Sequence, residues 1–408
     1  MQDRLIQRYL GNKAPLTPSI IEIVKTFAEP GDVIFDAFAG TLSVSAAFRA
    51  AGFRVAINDI NHFTWTYARA YFSVDEIPPL DAHIFPPSRD PSLGWSKLLS
   101  ELTAPFTKSI PRRARRSDIF DHYCEAGSLS GFSSSRGASG RRRFFSPENA
   151  IYIDRALSRI RFWHRECALS EGLRCLLMAI LLSAVEKVSN TQGTYHDFPR
   201  AFMDPRALRP ISLTLPSANS FNGLKSTAIG KARDTLDYIL ELPKHRAIYI
   251  DPPYNFRQYT SYYFMLNLLS EYPEIEDLDD YFSRVEYVRG QNMISDFKSP
   301  FCSKNTFLPA LEQLIRNACA DYVVISYFDG RNHWGQFKSE ELDLTGRKSI
   351  EDLMQSDLFE RGSAKCIPVE RLNYQSYGGY AAKKINELIF FAKKRGDCFR
   401  VRELSDKI

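Results

Sequence analysis

A short apolar run, Val33-Ile34-Phe35, passes into Asp36-Ala37-Phe38-Ala39-Gly40-Thr41, and this junction constrains the fold more than any other part of the chain. Ser43 to Ala51 carries a helical pattern with Gly52 placed to cap it. A second apolar run, Val55-Ala56-Ile57, then ends in Asn58-Asp59. Strand, small-residue loop, helix, strand, acid is the opening unit of a doubly wound α/β sheet. Small residues at the loop let backbone approach a ligand, and the N-terminus of the following helix favours a carboxylate or phosphate. One glycine in place of the three of Gly-x-Gly-x-x-Gly argues against a classical dinucleotide site. Asp59 stands where an acid accepts hydrogen bonds from both hydroxyls of a ribose; the plain alternative is a surface acid capping the next helix.

Another apolar run, Ala247-Ile248-Tyr249-Ile250, stops at Asp251-Pro252-Pro253-Tyr254. Two prolines fix two φ angles and remove two N–H donors, so the turn offers carbonyl oxygens in a stiff arrangement. An aspartate oxygen beside such a carbonyl can accept both hydrogens of an exocyclic amine, and Tyr254 can stack on the ring that bears it. That set suits a flipped nucleobase, adenine in particular; the bland reading is a strand followed by a proline-rich turn. Combined with the first loop it favours S-adenosylmethionine over NAD, since this cofactor has no pyrophosphate for a three-glycine loop to hold. The chemistry implied is methyl transfer to an exocyclic nitrogen, driven by positioning and electrostatics without a metal or a covalent enzyme intermediate.

At 408 residues the chain exceeds one typical core, which predicts two domains or one large domain with an insertion. A net charge of +5 permits a polyanionic partner without demanding one. The seven cysteines are scattered without a Cys-x-x-Cys pair, and the seven histidines lack ligand spacing. No disulfide framework and no metal site is expected, and a reducing cytoplasm fits best. The start, Met1-Gln2-Asp3-Arg4, lacks a signal pattern, and the longest apolar stretch, Cys175 to Val185, is too short for a bilayer and reads as a buried helix.

From about Pro78 to Ser146 the chain is rich in Pro, Ser, Gly and Arg and shows no sustained period. Arg112, Arg113, Arg115 and Arg116 form one basic run and Arg141, Arg142 and Arg143 another, readable as solvated loops or as phosphate contacts made by a loop that orders on DNA. Pro147 to Val188 returns to helical periodicity, in two helices broken near Ser170-Glu171-Gly172. Tyr322 to Tyr327 is a further buried strand, and Cys366–Leu372 with Glu387–Ala392 predict a closing antiparallel pair.

These segments, in this order, resemble the alpha group of adenine-specific DNA methyltransferases, the Dam-like family, and especially the methylases of type IIS restriction-modification systems. Arg8-Tyr9-Leu10-Gly11-Asn12-Lys13 is similar to the family's N-terminal motif, which implies that Tyr9 and Lys13 contact the methionine end of the cofactor. Asp36, Phe38, Ala39, Gly40 and Thr41 match the cofactor loop, Asp59 the ribose-binding acid, and Asp251, Pro252, Pro253 and Tyr254 the catalytic motif. The continuation Asn255-Phe256-Arg257-Gln258-Tyr259 is also family-like, as are 190–195, 299–304 and 325–327. By the same resemblance Asp234 holds the adenine amine of the cofactor. There are two departures: Leu42 stands where the family usually has a second glycine, and the Asp329-Gly330-Arg331 turn replaces an Asn-rich one.

The resemblance implies a Rossmann-like, mostly parallel S-adenosylmethionine-dependent methyltransferase sheet with an antiparallel C-terminal hairpin and a helical, loop-rich insertion. We expect residues 1–77 to form the cofactor-binding half, 78–230 the insertion that recognises DNA, and 231–408 the catalytic half. The helices of 147–188 would pack on the catalytic core, and Arg257 joins the basic runs as a DNA contact. Double-stranded DNA is the expected partner, with a cognate restriction endonuclease in the same system. An RNA adenine methyltransferase, transfer to cytosine's amine, and a DNA-recognition subunit with a decayed cofactor site are the competing readings.

Overall fold

Apolar runs that end in acids become the inner strands of a seven-stranded sheet. The computed structural model describes residues 9–87, 90–134, 137–292, 297–328, 345–372 and 384–396. The strands are β1 (Val33–Asp36), β2 (Arg54–Ile57), β3 (Ala228–Ile229), β4 (His245–Ile250), β5 (Ala320–Phe328), β6 (Lys365–Leu372) and β7 (Lys384–Lys393). Their order across the sheet is β3-β2-β1-β4-β5-β7-β6. The first five run parallel, while β7 lies antiparallel to both β5 and β6. Parallel strands covered on both faces read as unbroken hydrophobic runs, which is why β1, β4 and β5 stand out in the sequence. The two residues of β3 are too short for such a signal.

The chain divides into two compact units. One comprises 11–68, 223–259 and 297–408 and contains the whole sheet. Helices Thr17–Val24, Ser43–Ala50, Lys304–Asn317 and Thr345–Met354 belong to it. Phe35, Ile248, Ile250, Leu311, Leu314, Val323, Ile325 and Phe390 share one buried cluster.

The other unit comprises 1–10, 69–222 and 260–296. Its centre is the helix pair Pro147–Glu166 and Glu171–Val188, with Phe264–Glu271 packed against the second of these. Residues 260–296, expected with the catalytic half, therefore belong here. The apolar face of Phe264–Glu271 and the hydrogen bond from Tyr123 Oη to the Gly290 carbonyl (2.6 Å) hold them in this unit. The stretch from Pro78 to Ser146, expected to be loop, contains a 13-residue helix, Pro91–Thr103. Asp90 caps it by accepting from the Ser92 N–H at 2.8 Å, and Trp95, Leu98, Leu99 and Leu102 form its buried stripe. A hairpin joins Gly131–Ser133 to Ser139–Arg141. The 329–331 turn and Cys398 lie outside the described residues. Cys124, Cys167, Cys175, Cys302 and Cys366 are free thiols.

Candidate active site

The register of the sheet sets the site. Asp36 at the end of β1 lies opposite Tyr249 of β4, two residues before Asp251, so both acids emerge at the carboxyl ends of neighbouring parallel strands. The loop after β1 is tied down on each side. The Ala37 N–H donates to the Tyr249 carbonyl and the Ala39 N–H to the Asn58 carbonyl, both at 3.0 Å. Asp59 Oδ2 accepts the Gly40 N–H at 2.8 Å, and Oδ1 accepts from Asn61 backbone and side chain at the same distance. The Thr64 hydroxyl donates to the Gly40 carbonyl. Asp59, read from sequence as a ribose acid, thus also braces the loop.

Asp36 Oδ2 accepts the Ser45 hydroxyl at 2.6 Å, while Oδ1 is buried with no hydrogen-bond partner. Burial raises the Asp36 carboxyl to about 7 against the pull of Ser45, with Asp251 and Asp59 adding to the rise. Burial likewise raises Asp59. Leu42 is 1% exposed and adopts φ +61°, the left-handed region that glycine occupies freely, so the departure at this position carries backbone strain. Phe38 meets Phe301 edge-to-face, 5.0 Å between centroids. Asp234 caps the short helix Thr235–Tyr238 through the Leu236 N–H and is half-buried, which raises its carboxyl. The Asn58 amide donates to Thr235 Oγ1, whose hydroxyl donates to the Ala37 carbonyl. That chain joins the three sequence-distant loops.

Lys13 lies against the Asp251-Pro252-Pro253-Tyr254 turn. Its ammonium is 2.9 Å from Asp251 Oδ1 and 2.8 Å from Glu387 Oε1, and it sits 5.2 Å from the centre of the Tyr254 ring. Arg371 completes the group, its guanidinium 2.9 Å from the other oxygen of Glu387. Burial raises the Asp251 carboxyl to about 6; Lys13 and Arg371 oppose that rise and Glu387 adds to it. The opposing carboxylates outweigh burial at Lys13 and hold its ammonium well above its ordinary value. Tyr254 is buried, which raises its hydroxyl to about 12, and packs on Tyr327 and Phe328. A Cβ on Gly11 would stand 3.4 Å from its hydroxyl.

Downstream, Gln258 Oε1 accepts the Ser299 N–H, and Cys302 Sγ donates to the Arg257 carbonyl. Segment 299–302 therefore fixes the backbone beyond the motif. Glu387 and Arg371 went unread in the sequence. Their one signal is an acid at the start of the apolar run Leu388-Ile389-Phe390-Phe391.

Tyr9 belongs to the helical unit, where its ring stacks on Tyr263 at 4.4 Å and the Leu10 N–H donates to the Tyr263 hydroxyl. One member of the basic runs departs from the expectation. Arg142 is 1% exposed and donates to the Leu129 and Tyr287 carbonyls, so it is a buried strut and not a phosphate contact. Arg116 is bidentate on Asp118 and also bonds Asp279. Arg115 donates to the Thr107 and Ile110 carbonyls over the Phe106 ring. Arg143 engages Glu125 and the Arg200 carbonyl, Arg141 the Glu125 carbonyl, and Arg113 the Glu166 carboxylate. Arg112 is exposed.

The model of the D12 class N6 adenine-specific DNA methyltransferases matches residues 9–306, which span both the β1 loop and the Asp251 motif. The chain belongs to that family. Relatives agree with the assignment. Modification methylase StsI of Streptococcus sanguinis is 25% identical over 394 residues, covering 95% of this chain and 52% of its own. Type II methyltransferase M.FokI of Planomicrobium okeanokoites is 26% identical over 394 residues, with 95% and 52% covered. Type II methyltransferase M.NlaIII of Neisseria lactamica is 27% identical over 323 residues, with 78% and 82% covered. This D12-class chain spans about half the length of the StsI and FokI enzymes. Among its described residues there is no group of ligands that could hold a metal ion, and no helix is long and apolar enough to cross a membrane.

Proposed function

We propose that this chain transfers a methyl group from S-adenosylmethionine to the exocyclic N6 of an adenine flipped out of duplex DNA. It would serve a restriction-modification system with a cognate endonuclease, working in the cytoplasm with the DNA it protects. The observation that carries the reading is the Asp251-Pro252-Pro253-Tyr254 turn at the end of β4, beside the β1 loop, with Lys13 paired to Asp251 Oδ1.

The residues of the β1 loop fit the cofactor. Asp36 Oδ1 is buried without a partner, an arrangement that suits a cationic ligand. Phe38, Ala39, Gly40 and Thr41 would line the cofactor, Asp59 its ribose and Asp234 its adenine, with Lys13 at its methionine end. When bound, S-adenosylmethionine supplies a methyl group activated by its sulfonium.

The chain's own residues do the rest by positioning. An adenine amine is a poor nucleophile because its lone pair is delocalised into the ring. Asp251 and the Pro252 carbonyl accept its two N–H bonds, which hold the nitrogen and ease its pyramidalisation. Tyr254 stacks on the base. Lys13, held on Asp251 Oδ1, favours the carboxylate form that this acceptor role needs. Asp251 is not required as a strong base, because the methylated amine sheds its proton after transfer. The test is mass spectrometry of nucleosides from DNA incubated with S-adenosylmethionine and either wild type or Asp251→Ala. N6-methyladenine from wild type alone supports the reading; equal amounts from both remove Asp251 from the chemistry. Parallel incubation with RNA separates the two polynucleotides.

A further inference from the structure

Glu387 is the most deeply buried charge near the motif and nothing in the reaction as described uses it. Its side chain is fully buried, at 0% exposure, on β7, the strand that lies antiparallel beside β5. A buried carboxylate survives only with compensation, and here it is doubly paired, to Lys13 and to Arg371 of β6. Lys13 in turn bridges two acids, Glu387 and Asp251, at nearly equal distances. The Asp251 side chain keeps 15% exposure although its Oδ1 atom is sealed. Its accessible face therefore lies away from Lys13.

We propose that Glu387 is a positioning residue for the transfer step. By pairing with the same Lys13 ammonium that Asp251 holds, it locks Lys13 onto Oδ1 and leaves Oδ2 as the single oxygen presented to the substrate amine. The inference rests on the proposed adenine methylation for its kinetic consequence, but the geometry it asserts is independent of it. The groups facing Asp251 are Lys13, Glu387 from β7, Arg371 from β6, Tyr249 from β4, Tyr254 from the turn and Asp36 from β1. Lys13 and Arg371 favour its ionised form, while Glu387 opposes it.

Removing the charge of Glu387 has two consequences with opposite sign for function. Lys13 gives its whole charge to Asp251, so the carboxylate ionises at lower pH. The bridge also loses its anchor, so the carboxylate is free to turn and both oxygens exchange between Lys13 and substrate. Glu387→Gln should thus transfer methyl groups about tenfold more slowly at saturating substrate. A residue that merely fills the sheet would give a loss of stability without the change in titration.

The experiment uses the full chain labelled with 13C at aspartate Cγ, the Asp251 resonance being identified by its disappearance in Asp251→Asn. The titration midpoint of Asp251 should fall in Glu387→Gln, and it should rise in Arg371→Met, which supplies the second reading if the first variant folds poorly. Single-turnover rates are measured on the same samples. An unmoved midpoint in Glu387→Gln, or a wild-type transfer rate with fold retained, overturns the proposal. If wild type methylates no DNA, the functional reading fails while the carboxylate titration still decides whether Glu387 controls Asp251.

Discussion

Replacing Asp251 by Asn should stabilise the fold increasingly as pH rises while sharply slowing the reaction. Asp251 is raised from 3.8 to about 6, first by burial and then by Glu387, in opposition to Lys13. A carboxyl raised on folding is most favourable when protonated. Its contribution is fully present below the unfolded value near 3.8 and is lost as pH climbs through about 6. The full cost of ionising it is about 3 kcal/mol, from a shift of about two units at about 1.4 kcal/mol each. Between pH 5 and pH 8 the part still to be lost is about 1.5 kcal/mol. Asn keeps the shape and removes this cost, and Lys13 retains Glu387 as its partner at 2.8 Å, so no charge is orphaned. Urea unfolding of both proteins at pH 5 and pH 8 measures the difference. The stability of Asp251→Asn relative to wild type should increase by about 1.5 kcal/mol over that interval, and its methyl transfer should fall by about 10²–10³. A difference that is flat with pH, or that shrinks as pH rises, refutes the assignment of Asp251 as a carboxylate ionised at a folding cost.

Lys13→Met should be far more damaging, since it leaves Asp251 and Glu387 buried without their shared cation. A loss of about 3–5 kcal/mol in chemical denaturation is expected, with an upward move of the acid limb of any pH–rate profile. Leu42→Gly exchanges about 1–2 kcal/mol of left-handed strain for about 1.5–3 kcal/mol of lost leucine burial. A small net destabilisation with unweakened calorimetric binding of S-adenosylmethionine would show that the leucine strains the loop without closing the site. Arg142→Met should destabilise by about 1–3 kcal/mol through lost buried hydrogen bonds. Arg112→Ala should keep stability and lower the salt slope of DNA binding by about 0.9.

The fold was legible wherever burial covers both faces of a strand. β1, β4 and β5 announce themselves as apolar runs ending in polar residues, and the β6–β7 hairpin by two such runs near the C-terminal end. The helix Pro91–Thr103 was equally present, in its Asp90-Pro91 start and the spacing of Trp95, Leu98, Leu99 and Leu102. The Pro, Ser and Arg content around it masked the stripe. Charge was the least legible property. An arginine run states only that cations are present, and whether Arg142 meets a phosphate or a carbonyl is decided by the packing around it. Lys13 and Glu387 show the same limit, because they stand near opposite ends of the chain and meet only when β7 enters the sheet. The Asp251 motif was readable because its parts are contiguous. The lysine and glutamate that set its charge are not.

The central claim is adenine methylation at a defined DNA site through Asp251. Sequencing modified bases in DNA from cells that express the chain, beside cells expressing Asp251→Ala, tests it most directly. N6-methyladenine is expected at one recurring sequence with wild type and nowhere with the variant. Unmodified adenine in both, or the same methylated sites in both, would contradict it.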